Sequence, residues 1–200
     1  MRFVHVAEPW WVNLAFLVPL SAYLCWRRWS IAITVRQLVI VGVFASAFGF
    51  LEATVVVYLR AAAGLLPGYQ GTLSDVAAAV PQSQLLGKVP SSLLGLEMLR
   101  EAATMLMLIS IALLTPVKAK SRVAVFLWAF GIWDIIYYVS LWATIRWPQS
   151  ISDGDVLFLI PEPWLAPVWF PVVVSALTML AVLLARGSPQ SSKFGNSAFE

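Results

Sequence analysis

Cysteine and histidine are nearly missing from this sequence of 200 residues. Cys25 is the single cysteine, so the chain can form no internal disulfide and no metal site built from several thiolates. His5 is the single histidine and precedes the first apolar stretch, whereas di-iron centres in helical bundles use Glu-x-x-His pairs. These absences exclude a disulfide scaffold and the common thiolate and imidazole metal sites. We predict no cofactor, with an all-oxygen Mg²⁺ or Mn²⁺ site as the alternative.

Charged residues are also scarce. They make up 12% of the chain, whereas soluble domains average about 25%. Hydrophobic residues make up 60%, and the mean hydropathy is +0.84. Because so apolar a chain cannot cover a water-facing surface, we predict an all-α integral membrane protein. The net charge of +3 is too small to indicate a nucleic-acid partner.

Five apolar stretches are long enough to be considered as transmembrane helices, since a span takes about 20 residues at about 1.5 Å each. They cover residues 10–26, 38–60, 92–114, 122–145 and 164–185. We therefore predict one transmembrane domain over residues 1–186. The Ser-rich stretch 187–200 is predicted to be a disordered cytoplasmic tail.

Basic residues alternate between the connections, and this alternation predicts the orientation. One side of the membrane would hold Arg27, Arg28, Arg36, Lys118, Lys120, Arg122, Arg186 and Lys193. The other side would hold Arg2, Lys88 and Arg146. Eight basic residues against three predict a cytoplasmic C-terminus and an N-terminus outside. On the outer side, the segment from Asp155 to Ile160 is apolar but too short to span, so we expect an interfacial or re-entrant lid.

Five charged residues fall inside the predicted helices: Glu52, Glu97, Arg100, Glu101 and Asp134. A charge near the bilayer centre costs about 2.5–3.5 kcal/mol on insertion scales, so these side chains must face one another or a wet cavity. Counting about 1.5 Å per residue from the predicted helix ends puts all of them in the outer half of the bilayer.

Helical spacing predicts that these residues meet. The spacing i, i+3, i+4, which puts side chains on one face, occurs in two sets: Glu97, Arg100 and Glu101, then Asp134, Tyr137 and Tyr138. Beside Glu52, a stripe of small residues from Gly42 to Ala53 would let a neighbouring helix approach closely. The sequence therefore predicts an acidic, tyrosine-lined pocket between the second, third and fourth helices.

Roles follow from the chemistry of these side chains. Candidate acids or bases are Glu52, Glu101 and Asp134. Candidate binding residues are Glu97, Arg100, Arg60, Tyr137, Tyr138 and Trp133. Of these, the two arginines are expected to bind an anionic head group. The structural alternative is that Arg100 pairs with Asp134 or Glu52 only to hold the helices together.

Four stretches resemble a family of uncharacterised bacterial polytopic membrane proteins. They are GFLEATVVVYLR (residues 49–60), LREAATMLML (99–108), FGIWDIIYY (130–138) and DVLFLIPEPWLAPVWFP (155–171). The resemblance implies a multi-pass protein of the bacterial inner membrane and implies no activity.

Three classes of function remain open. The pocket favours binding or conversion of a lipid-like or isoprenoid molecule by acid/base chemistry. The alternatives are a small proton- or cation-coupled transporter, with the acids as ion site, and a structural subunit of a membrane complex. Expected partners are membrane lipid, a lipid-like small molecule, and further copies of the chain or other subunits. These classes include both enzymes and proteins without catalytic activity.

Overall fold

The computed structural model describes residues 6–28, 31–64 and 91–186. The predicted tail, the connection over residues 65–90 and the side chain of Arg60 lie outside the described residues. The described chain is mostly helical. A 3-10 helix, Trp10–Phe16, leads into α1, Leu17–Arg28. The other helices are α2, Val35–Gly64; α3, Ser91–Leu114; α4, Ala119–Ile145; and α5, Trp169–Arg186.

Three helices of the described chain are long and apolar enough to cross a membrane. These candidate spans are Val35–Leu59, Ser121–Ile145 and Trp169–Arg186. The third helix, α3, has sufficient length but carries Glu97, Arg100 and Glu101 in its first half. The α-helical part of the first stretch is only 12 residues long. The described residues therefore support a mostly helical protein with three candidate membrane spans, two fewer than the sequence predicts.

The first stretch starts as a 3-10 helix because Asn13 competes for the backbone around it. Its side-chain oxygen accepts hydrogen bonds from the amides of Val6 and Ala7 at 3.2 and 3.1 Å. Its side-chain nitrogen donates to the carbonyls of Ala7 and Trp10, both at 2.8 Å. Asparagine side chains offer the backbone such alternatives to the α-helix.

Local signals explain where α2 begins and α4 ends. Before α2, the amide of Thr34 donates to the Gln37 side chain at 2.9 Å, and the amide of Gln37 donates to the Thr34 hydroxyl at 3.2 Å. This reciprocal pair is a capping box, which satisfies free amides at a helix start. After α4, Arg146 takes a left-handed conformation, with φ of 57°, and Pro148 follows soon after.

The segment predicted to be an interfacial or re-entrant lid contains a β-hairpin. The segment around Asp155 forms strand β1, Gly154–Phe158, which pairs antiparallel with β2, Trp164–Pro167. The all-α description is corrected by this hairpin, and the fifth helix starts at Trp169 rather than Trp164. The prolines at 161, 163 and 167 explain the difference, since each disfavours helical conformation in the residue before it.

The small residues of α2 allow close packing against α4, as the stripe predicts. A Cβ added at Gly49 would lie 2.6 Å from the carbonyl oxygen of Trp133, and one at Gly42 would lie 3.2 Å from Ile132. On its other side α4 also packs closely against α5, because a Cβ at Gly131 would lie 2.8 Å from the side chain of Met179 and 3.1 Å from the carbonyl oxygen of Ser175. Helix α4 is thus the central helix of the bundle, with α2, α3 and α5 around it.

Different segments of the chain are hydrogen-bonded together at the two ends of the bundle. At one end, the Arg186 guanidinium donates to the carbonyl of Ile33 at 2.9 Å, and the amide of Ala32 donates to the Ser121 hydroxyl at 3.3 Å. This end therefore joins the α1–α2 connection, the start of α4 and the end of α5. At the other end, the N-terminal segment pairs with β2, since Glu8 and Leu165 exchange backbone hydrogen bonds of 2.8 and 2.7 Å.

Candidate functional site

A cavity of about 160 Å³ lies between the helices and the hairpin. Its walls combine residues of α2, α3, α4 and α5 with strand β1 and the N-terminal 3-10 helix. The polar and charged lining residues are Glu52, Glu97, Arg100, Glu101, Thr104, Asp134, Tyr137, Tyr138, Asp155 and Ser175. Together with Trp133, this set includes eight of the nine residues that the sequence predicts for the site. The ninth is Arg60, whose side chain lies outside the described residues.

Arg100 is bound by two carboxylates. Its Nε donates to Oε2 of Glu97 at 2.8 Å, one turn earlier on α3, and its Nη1 donates to Oε2 of Glu52 on α2. The other oxygen of Glu52 accepts a hydrogen bond from the Thr104 hydroxyl. The structure thus selects Glu52 from the two expected partners of Arg100 and adds Glu97. This network joins α2 to α3 and has two acids for one base.

Glu101 ties the helix bundle to the hairpin. Its two carboxylate oxygens accept the amide hydrogen of Leu159 at 2.8 and 3.1 Å. Leu159 directly follows β1, so the acid on α3 is bound to the end of this strand. Only 8% of Glu101 is exposed. The hairpin is therefore attached to a residue that lines the cavity.

Asp134 and Tyr138 make the corresponding contacts on α4. The Ser175 hydroxyl of α5 donates to Oδ2 of Asp134 at 2.8 Å, and Asp134 is only 7% exposed. The Tyr138 hydroxyl donates to Oδ2 of Asp155 at 2.7 Å, while Oδ1 of Asp155 accepts the amide hydrogen of Val156 at 2.8 Å. The hairpin is consequently attached to α3 through Glu101 and to α4 through Tyr138.

The cavity carries a surplus of acids. In the part of the chain that the structure describes, both ion pairs belong to Arg100, with Glu52 and Glu97. Glu101 and Asp134 accept hydrogen bonds from neutral donors, a backbone amide and a hydroxyl. Burying an ionised carboxylate without a cation is costly. These two acids are therefore placed to exchange a proton or to meet a positive charge.

Aromatic rings form much of the remaining wall. The ring centroids of Trp133 and Tyr137 are 6.2 Å apart with nearly parallel planes, and those of Phe130 and Trp133 are 5.5 Å apart. Across the hairpin, Phe158 and Trp164 are 5.2 Å apart. Within the described residues, the buried indole N–H groups of Trp133 and Trp164 find no hydrogen-bond acceptor. Buried donors without a partner are rare in proteins and call for an explanation.

Three polar lining residues were missed by the sequence reasoning: Thr104, Asp155 and Ser175. A signal for Thr104 was present, because it follows Arg100 and Glu101 at i+4 and i+3 and so shares their face. Asp155 was noticed only as the start of the lid. Ser175 stands in an apolar helix with no charged neighbour, and serine at such positions usually bonds to its own helix.

A metal centre was an alternative for this set of acids. Among residues 6–28, 31–64 and 91–186, no group of three or more His, Cys, Asp or Glu residues is arranged to hold a metal ion. The five acids around the cavity are instead divided between the Arg100 network, the hairpin and α5.

Comparisons with known proteins return no family model, no curated protein and no solved structure that matches this chain. The resemblance to a family of bacterial membrane proteins stays a prediction.

Proposed function

We propose that this chain is a multi-pass protein of the bacterial inner membrane that binds a lipid-like molecule in the cavity and acts on it by acid/base chemistry. The observation that carries the proposal is that one cavity is lined both by aromatic rings and by two buried acids, Glu101 and Asp134, that form no ion pair among the described residues. Ligand sites are typically apolar clefts with a few convergent polar groups.

The size of the cavity limits what enters it. A volume of about 160 Å³ is similar to that of an engineered cavity of about 150 Å³ that holds benzene. The polar, reacting end of an amphiphile has room there, and its apolar chain must continue between the helices into the membrane. A polar end in the cavity and an apolar chain in the membrane suit a lipid-like or isoprenoid molecule better than a water-soluble metabolite.

The proposed reaction centres on Glu101 and Asp134. Each carboxyl group can give a proton to the bound molecule or take one from it, because neither forms an ion pair with a side chain of the described residues. Glu52 is bound to Arg100 and Thr104, so we assign it, with Glu97, to positioning α2 and α3. Tyr138 positions the hairpin through Asp155, and Trp133 and Tyr137 supply ring faces.

The proposal includes five spans with the N-terminus outside. Helix α3 spans if its charged residues face the cavity, where Glu97, Arg100 and Glu101 all lie. The first stretch has seven residues of 3-10 helix and 12 of α-helix, which reach about 32 Å at about 2.0 and 1.5 Å per residue. That length matches a hydrocarbon core of about 30 Å. Glu8, shortly before the first predicted span, pairs with Leu165 of the hairpin at one end of the bundle, which supports the same alternation of the spans.

The experiment is to identify what the protein retains from its own membrane. The full chain is extracted in a mild neutral detergent, and the molecules that co-purify are quantified by mass spectrometry. Asp134→Asn and Glu101→Gln should remove a retained molecule while the protein stays folded, because the amides keep the shape of the acids. Glu8→Gln serves as the matched control, since it neutralises an exposed acid outside the cavity. Equal retention by all four proteins contradicts the proposal.

A further inference from the structure

The charge around the cavity indicates the charge of its occupant. Arg100 is the one cation among the described lining residues, and it already holds Glu52 and Glu97. A negatively charged occupant would lie near the acids Glu101 and Asp134, and none of these lining residues offers an unpaired cationic side chain to neutralise its charge. A positive charge would instead give both acids the partner that the described chain does not provide. The electrostatic balance of the cavity thus favours a cationic occupant.

The rings point to the same charge. Phe130, Trp133, Tyr137 and Trp164 line the cavity together with the two acids. Cations are attracted to the faces of aromatic rings within about 6 Å, and aromatic cages recognise ammonium groups in this way. An anion gains nothing from these faces. Acids and rings that line one cavity are therefore complementary to an organic ammonium group.

The indole N–H groups add a second requirement. Trp133 is 8% exposed, and its N–H finds no acceptor within the described residues, nor does that of Trp164. Both residues line the cavity. A donor buried without a partner loses its hydrogen bond to water and gains nothing in return. An oxygen atom on the occupant would satisfy these donors.

From these observations we infer that the cavity binds an amphiphilic amine: a molecule with an apolar chain, a positively charged nitrogen and an uncharged oxygen acceptor beside it. The ammonium group is held between Glu101 and Asp134 against the rings, and the oxygen accepts from the indole N–H groups. This inference rests on the proposed function and specifies the class of its ligand.

The test uses amphiphiles of one chain length that differ in the head group. Decyltrimethylammonium, decyl sulfate and decyl glucoside are added at equal concentrations to the full chain in a neutral detergent, and bound molecules are counted by native mass spectrometry. We expect a one-to-one complex with the ammonium compound, at least about tenfold tighter than with the sulfate or the glucoside. Glu101→Gln and Asp134→Asn should each weaken it about tenfold or more, and Glu8→Gln should not change it.

The oxygen acceptor is tested with decanoylcholine, which carries an ester carbonyl near its ammonium group. Trp133→Phe removes the N–H and keeps an aromatic ring. It should weaken decanoylcholine binding more than decyltrimethylammonium binding. Equal losses for the two compounds would overturn the assignment of the oxygen.

The outcomes separate this inference from the proposed function. If decyl sulfate binds one-to-one at least as tightly as the ammonium compound, the cationic ligand is wrong while a lipid-like ligand stands. The variant Arg60→Leu then shows whether that arginine holds the anion. If no compound forms a one-to-one complex, or if all bind alike and ignore Glu101→Gln, the proposed function fails as well. The comparison of head groups uses the unmodified chain, so a variant that misfolds does not remove the test.

Discussion

Replacing Arg100 with methionine is expected to lower the stability of the protein by about 3–5 kcal/mol, the usual cost of removing one partner from a buried ion pair. Methionine keeps much of the apolar stem and deletes the guanidinium. Glu52, which is 3% exposed, would then keep only the Thr104 hydroxyl as a partner. A loss of this size lowers the Tm of a protein of about this length by about 6–20 °C, at about 2–4 °C per kcal/mol.

The assay is thermal unfolding followed by circular dichroism in one neutral detergent. In the Arg100→Met background, Glu52→Gln should recover about 1–3 kcal/mol, because it removes the stranded charge. Asp134→Asn in the same background is the matched control and should recover nothing, since Asp134 is bound to Ser175 of α5. The reasoning is refuted if the effects of Arg100→Met and Glu52→Gln simply add, or if Asp134→Asn recovers as much stability as Glu52→Gln.

Three further predictions concern packing, topology and the hairpin. Gly49→Ala should cost about 1–3 kcal/mol by thermal unfolding, because the new methyl group would meet the backbone of α4 at 2.6 Å. Gly95→Ala, with nothing within 4 Å, should be neutral or slightly stabilising, and equal effects would contradict the helix contact. In a cysteine-free background, Lys118→Cys should react with a membrane-impermeant thiol reagent only from the cytoplasmic side and Ser152→Cys only from outside; the reverse pattern would overturn the orientation. Tyr138→Phe should speed amide hydrogen exchange in β1. The buried carboxylate of Asp155 would lose the hydroxyl that donates to it, which costs about 1–3 kcal/mol of stability. Unchanged exchange would mean that this hydrogen bond does not hold the hairpin.

Helical spacing made much of the candidate site predictable. A charged side chain inside a membrane helix costs free energy unless it faces a partner or a polar cavity, so its position indicates where such a cavity lies. The spacing of Glu97, Arg100 and Glu101 places all three on one face of the helix. The same argument applies to Asp134 and Tyr138 on α4. The small residues beside Glu52 correctly predicted close contact between α2 and a neighbouring helix. These signals are local, which is why a single sequence contains them.

Contacts between elements were not predictable in the same way. Periodicity placed Arg100 on a face but did not distinguish Glu52 from Asp134 as its partner, because the choice depends on how the helices pack. The strand after Asp155 was missed because a short apolar run suits a strand, a re-entrant segment or an interfacial segment equally well. Its pairing with β2 and its attachment to Glu101 depend on residues far apart in the chain.

The most direct test of the account is an experimental density map of the full chain, purified with its native lipid, at a resolution that shows individual side chains. The account predicts non-protein density in the cavity. The polar end of this density should lie within hydrogen-bonding distance of the carboxylates of Glu101 and Asp134, and its apolar part should run between the helices toward the lipid. A cavity filled by side chains, or one that holds only ordered water after purification with native lipid, would contradict it.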